Sequence, residues 1–200
     1  NGKTIVLLHG KNFNGYYFEE TAKALNKDGF RVIMPDQIGF GKSSKPQQYQ
    51  FSFQQLAENT KAILDDLKID KFILLGHSMG GMLATKMAVM YPDRIEKLIL
   101  ENPIGLEDYR KFSPYQNIDK LYASELKNTY QSYKEYQLKF YYDGKWKPEY
   151  DKWLNLLAGW TIHPDFTKTA WNAALTTDMV YTQPVGDDFE NIIAPTLLII

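Results

Sequence analysis

The stretch Gly76-His77-Ser78-Met79-Gly80 constrains this chain more than any other. A short apolar run, Phe72-Ile73-Leu74-Leu75, precedes it, and a helix-like stretch from Met82 to Tyr91 follows. Strand, sharp turn and helix form the context in which a Gly-x-Ser-x-Gly pentapeptide becomes a nucleophile elbow. Side chains flanking so tight a turn would collide, which accounts for glycine at positions 76 and 80. Ser78 is then left at the tip, in a strained conformation, with its hydroxyl clear of the sheet. The Met79 amide opens the next helix and points at the same spot, where it can stabilise an oxyanion with help from the helix dipole. The competing reading is a glycine-rich turn with a bystander serine. The flanking elements, and a second motif upstream at His9-Gly10, weigh against it.

Thr4 to Leu8 is a continuous apolar run rather than an alternating one, as in a parallel strand buried on both faces. Asn1-Gly2-Lys3 leads straight into it, so any leader is expected upstream. A helix is expected from Tyr17 to Lys27, stopped by Gly29, and a second strand from Arg31 to Met34. Ser52 and Gln55 have the spacing of a capping box. The helix they open would carry Phe53, Leu56, Thr60, Ile63, Leu64 and Leu67 as one stripe. A fourth strand is expected at Lys97 to Leu100.

Strands and helices thus alternate with short links, which implies a doubly wound, mostly parallel α/β sheet. Placing the elbow strand beside the first strand puts the His9-Gly10 loop and Ser78 at a topological switch point, where such sheets bind ligands. The pattern changes at Pro103. From there to about Asn191 strand-like runs vanish and aromatics crowd the sequence, with helices expected at Asp119 to Phe140, Tyr150 to Ala158 and Thr167 to Leu175. A strand returns at Ala194 to Ile200. The expected division is residues 1–102 as core, 103–190 as an inserted helical cap and 191–200 as the return strand.

Composition narrows the chemistry. Lys and Arg number 23 against 24 Asp and Glu, so no basic surface points to nucleic acid. Cysteine is absent, which excludes thiolate catalysis and Cys-ligated zinc. No apolar run is long enough for a membrane span. No metal or cofactor is called for.

His9-Gly10, Asp36-Gln37-Ile38-Gly39-Phe40-Gly41-Lys42-Ser43, Gly76-His77-Ser78-Met79-Gly80-Gly81 and Pro195-Thr196-Leu197-Leu198-Ile199-Ile200 resemble the α/β-hydrolase superfamily. More narrowly they resemble its capped serine-hydrolase branch, which includes esterases and C–C bond hydrolases. Asn102 to Asp108, leading into a helical insert, is similar to the way that branch begins its cap. The resemblance implies two-step acyl transfer through Ser78, with a small-molecule ester or related carbonyl compound as the expected partner. It also implies an oxyanion hole made by the Met79 amide and a second amide from the loop after His9-Gly10, Lys11 by position or else Asn12. Serine rather than aspartate at position 78 argues against dehalogenase or epoxide-hydrolase chemistry. The family's acid and histidine are expected after Ile200, and its first two strands before residue 1.

Among visible groups, Glu101 ends the fourth strand and is a candidate orienting acid, against a loop hydrogen-bonding role. Asp36 opens a glycine-rich loop and reads as a turn stabiliser. His9 reads as support for the oxyanion loop. His77 is turned away from the Ser78 hydroxyl by the elbow, and His163 reads as a turn or pocket residue. Phe13, Tyr130 and Tyr133 are the candidate substrate-pocket residues, within an aromatic stripe that also serves packing. Three functions stay open: a serine hydrolase of esters, a C–C bond hydrolase on the same elbow, and a non-catalytic binding protein of hydrolase fold.

Overall fold

A computed structural model describes residues 2–200; Asn1 lies outside the described residues. Five parallel strands form one sheet: β1 (Thr4–Leu8), β2 (Arg31–Ile33), β3 (Phe72–His77), β4 (Ile95–Glu101) and β5 (Thr196–Ile199), in the order β2-β1-β3-β4-β5. The strand carrying the elbow therefore lies against the first strand, with Leu8 opposite Gly76. The order reverses direction there, which sets the carboxyl ends of β1 and β3 side by side.

The continuous apolar runs are explained by cover on both faces. Val6, Leu8, Leu74, Leu98 and Leu100 face one cluster, with Phe53, Leu56, Met82 and Met87. Ile5, Leu7, Ile73 and Leu75 face the other, with Phe18. Helices α1 (Glu19–Lys27), α2 (Phe53–Asp66) and α3 (Met79–Met90) supply most of that cover. α3 is a core helix, with nine of its twelve residues buried. Among the described residues no helix is long and apolar enough to cross a membrane.

Several local expectations change. The first helix begins as a 3-10 turn at Gly15–Phe18, capped by the Asn14 side chain, and β2 ends one residue before Met34. Ser52 accepts from the Gln55 amide at 3.0 Å, but the Gln55 side chain donates forward to Asn59, so only half the capping box forms. Ile63 and Leu67 are 44% and 37% exposed, and Ala57 fills the buried stripe instead.

Residues 103–190 carry four helices: α4 (Ile118–Glu125), α5 (Tyr130–Phe140), α6 (Asp151–Ala158) and α7 (Phe166–Thr182). The single helix expected over 119–140 breaks at 126–129, where Thr129 and Ser132 cap each other reciprocally. α7 runs seven residues beyond the expected Leu175, and within it Thr176, Thr177 and Thr182 each satisfy their hydroxyl on the carbonyl four residues back. The helical segment leaves the sheet at Pro103 to Gly105 and returns near Val185. A Cβ on Gly105 would lie 2.7 Å from Met82 Cγ and 3.1 Å from Val185 Cγ2, so entry and exit meet over α3.

Candidate active site

Ser78 has φ 54° and ψ −120°, a left-handed backbone that serine adopts only when its surroundings enforce it. Those surroundings are mostly backbone. A Cβ on Gly76 would lie 2.2 Å from the Gly80 carbonyl oxygen, and one on Gly80 would lie 2.1 Å from that of Leu8. A Cβ on Gly81 would strike Pro103, 2.5 Å away, where the chain leaves β4. The Ser78 carbonyl accepts from the Gly81 amide at 2.8 Å and the Ile104 amide at 3.2 Å, and its amide donates to Glu101 at 3.3 Å. Among the described residues the Ser78 hydroxyl has no hydrogen-bond partner.

Met79 is fully buried and is the first residue of α3, so its N–H is one of the amides that a helix start leaves without an intrahelical acceptor. The loop after β1 presses on the serine from the other side: a Cβ on Gly10 would be 2.9 Å from Ser78 Cβ. That loop is a tight turn, Phe13 N–H donating to the Gly10 carbonyl at 3.1 Å, with Asn12 at φ 68°. A positive φ at the third turn residue is the type II signature, which asparagine tolerates well. Among the described residues neither the Lys11 nor the Asn12 amide has an acceptor.

His9 braces this turn. It is 1% exposed; its Nε2 accepts from the Gln37 amide at 2.9 Å, so the ring proton is assigned to Nδ1, which donates to the Gly10 carbonyl at 2.8 Å. Both ring nitrogens are thereby committed, and Gln37 is a partner that sequence reasoning missed. Asp36 ties two loops together, accepting from the Gly15 and Lys42 amides at 2.7 Å each. His77 packs edge-on against Phe13 at 5.6 Å and pairs in register with Glu101. Glu101 shares a cleft with His77 and Asn102, and among the described residues its carboxylate makes no hydrogen bond to Ser78 or to a histidine. His163 is exposed in a turn, its Nδ1 accepting from the Asp165 amide at 3.1 Å.

Burial pulls the pKa of both His9 and His77 below the ordinary imidazole value of 6.5; the Gly10 carbonyl opposes it at His9 and Glu101 opposes it at His77. The unfolded chain then binds more protons than the native one once pH drops below about 6.5. Their contribution to stability is complete above that pH and is lost as pH falls toward the lowered native values. The urea midpoint should therefore fall between pH 7.5 and pH 5, and His9→Gln should flatten the fall. A midpoint that holds or rises on acidification would contradict this.

Phe13 separates two clefts. One, a narrow cleft of about 30 Å³, lies between the 12–14 loop, Tyr133 of α5, Leu157 of α6 and Ala170 and Ala173 of α7. The other, of about 340 Å³, holds His77, Glu101 and Tyr141. Tyr133 is 8% exposed; burial first, and then the Glu125 carboxylate, raise its pKa, so it is a neutral hydroxyl at ordinary pH. Tyr130 opens α5 but is 43% exposed and lines neither cleft. Several side-chain links between the core loops and the helical segment had no sequence signal, two of them made by lysines. Lys11 Nζ lies 2.7 Å from Glu125 Oε1, and Lys45 Nζ lies 4.3 Å from the centre of the Trp160 ring.

A strained serine between a strand and a helix, at the switch point of a parallel sheet, places the chain among α/β proteins with a sharp strand-to-helix turn at the sheet's carboxyl edge. The family model for the alpha/beta hydrolase fold matches residues 3–183, and the chain belongs to that family. It is 46% identical to a probable hydrolytic enzyme from Pseudomonas aeruginosa PAO1 of known structure, with a TM-score of 0.96 over 99% of this chain and 64% of that one. An esterase from Exiguobacterium antarcticum is 25% identical, with a TM-score of 0.79 over 99% of this chain and 73% of that one. Among curated proteins, the 2-hydroxy-6-oxo-2,4-heptadienoate hydrolase of Pseudomonas putida is 30% identical over 107 residues, 52% of this chain and 39% of that protein. The cis-3-alkyl-4-alkyloxetan-2-one decarboxylase of Shewanella oneidensis is 35% identical over 104 residues, 50% of this chain and 32% of that protein. The matches thus span a third to two fifths of these curated relatives' lengths.

Proposed function

We propose that this chain carries the nucleophile and oxyanion hole of a serine hydrolase that cleaves an ester or related carbonyl compound. The observation that carries the reading is the strained Ser78, with its hydroxyl unpartnered and the Gly10 turn against its Cβ. Ser78 Oγ adds to the carbonyl carbon and its proton passes to a base. The carbonyl oxygen becomes an oxyanion between the Met79 amide and that of Lys11 or Asn12. Collapse expels the alcohol, which takes up the proton, and water then hydrolyses the acyl-enzyme. Each oxyanion donor contributes about 2.7–4 kcal/mol of barrier lowering in enzymes of this kind, which makes the shape of the 10–13 turn matter. None of His9, His77 and His163 is placed to take the Ser78 proton, so the reading assigns the base to none of them. Glu101, beside His77, is kept only as a candidate acid.

In the same reading, residues 103–190 act as a cap over the cleft, and Phe13 and Tyr133 contact the acyl group. The P. putida relative supports a second reading, C–C bond cleavage on the same elbow. A radiolabelled substrate quenched within one turnover tests the route: attack by Ser78 leaves label on the serine, whereas C–C cleavage by direct attack of water leaves none. The main test is labelling with a fluorophosphonate: the adduct should map to the peptide bearing Ser78. Modification of a different serine would remove the proposal. Tyr133→Ala should lower kcat/KM about 10-fold for a bulky aryl ester while leaving that for an acetate ester within about twofold, because it removes contacts remote from the reacting carbon. Equal losses on both esters would take Tyr133 out of the pocket.

A further inference from the structure

The Lys11–Glu125 pair joins the turn beside Ser78 to a helix 114 residues away in sequence. The two side chains are only 21% and 14% exposed, so this is a shielded contact rather than a surface ion pair. Both carboxylate oxygens of Glu125 are used: Oε1 by Lys11 at 2.7 Å and Oε2 by Asn128 Nδ2 at 2.8 Å. Glu125 is the last residue of α4, where a carboxylate faces the negative end of the helix dipole and does the helix no service. Lys11, in turn, is the second residue of the Gly10–Phe13 turn, and its side chain is the handle by which that turn can be held from outside. The turn's other supports, the His9 and Phe13 hydrogen bonds, both grip the Gly10 carbonyl, and neither involves the Lys11–Asn12 peptide.

We infer that Glu125 is a positioning residue: by holding the Lys11 ammonium it fixes the Lys11–Asn12 peptide, so that the Asn12 N–H, the second oxyanion donor in this inference, faces the carbonyl attacked by Ser78. The inference rests on the acyl-transfer reading above. It places the control of an amide in the core on a side chain of the helical segment, and makes docking of α4 a condition for a complete oxyanion hole. Because the donor stays in the chain and only its aim is loosened, the loss should be smaller than the 10²–10³-fold that follows removal of such a donor.

The experiment uses Glu125→Gln, which keeps the shape and can keep the contact with Asn128 while removing the charge. On a p-nitrophenyl ester, kcat should fall about 10-fold with KM within twofold of the parent. Affinity for an alkylboronic acid, which forms a tetrahedral anionic adduct on the serine, should fall by the same factor. Lys11→Met should show the same pair of losses, and the double variant should lose no more than either alone, since both act through one contact. Unchanged kcat and boronate affinity in both single variants, with only a lowered melting temperature, would reduce the pair to a structural tether and overturn the inference. So would independent, multiplying losses in the double variant. If the unsubstituted protein neither binds the boronate nor labels with a fluorophosphonate at Ser78, the acyl-transfer reading itself fails, and that is visible before any variant is compared.

Discussion

Ser78→Ala should lower kcat on a short-chain ester by roughly 10⁴–10⁶-fold, the range found when members of a serine hydrolase's catalytic set are removed singly. Alanine retains the Cβ that rests against Gly10, so the packing of the elbow is preserved. The hydroxyl removed has no partner among the described residues, and no hydrogen bond is lost with it. The melting temperature should accordingly stay within about 2 °C of the parent, which corresponds to less than about 1 kcal/mol in a protein of this size. A residual rate above water is expected from the remaining amide donors. Retention of more than a tenth of the parent kcat would mean that another group attacks the substrate.

The second large effect concerns stability. Gly80→Ala puts a methyl group 2.1 Å from the Leu8 carbonyl oxygen and 2.6 Å from its carbon. Both atoms belong to the backbone of β1, which is paired on one side with β2 and on the other with β3, so neither can withdraw. Relief requires α3 to lift from the sheet, and that exposes Met82, Leu83 and Met87, each 0% exposed in the native packing. Overpacking at such a site costs about 3 kcal/mol or more. The melting temperature should drop by roughly 6–12 °C, and activity should be lost even where the fold survives. Gly159→Ala is the control: nothing lies within 4 Å of its Cβ position and φ is −55°, so the change should be neutral or stabilise by about 0.4–1 kcal/mol. Equal effects of the two substitutions would show that close approach at Gly80 does not hold the elbow.

The sheet and the elbow were legible because their causes are local. A strand buried on both faces must be apolar at every position, and Ile5–Leu8 and Phe72–Leu75 are; a turn with backbone on either side must be glycine, and Gly76 and Gly80 are. The neighbouring positions of β1 and β3 followed from the same runs and the short links between them. The helical segment was legible in type but not in detail. Ser132 stands where a capping box usually shows Glu or Gln, which hid the break before α5, and Thr176-Thr177 lowered the apparent helix propensity of a stretch that satisfies its hydroxyls internally. At the candidate site, the Gly10 turn was placed by the His-Gly pair. His9 was read as its support, but the Gln37 amide and the Glu125 carboxylate were not, because they reach the turn only through tertiary packing. Ile63 and Leu67 show the reverse failure: correct spacing for a buried stripe, with nothing in the described residues to cover them.

The meeting of entry and exit beside Met82 makes the helical segment an interchangeable module. Gly105 and Val185 come within contact distance, and an extended chain spans about 3.3–3.6 Å per residue, so three or four residues suffice to join the two sides. Excision of 106–184 would then leave every strand-to-strand connection of the sheet at its present length except one, which becomes a short link. Under the cap reading proposed above, grafting another helical insert of different size between the same two points would change which molecules reach Ser78 without asking the sheet to adjust. Diversification of such an enzyme is therefore a matter of exchanging one contiguous stretch of sequence, with the elbow and the turn at Gly10 carried along unaltered.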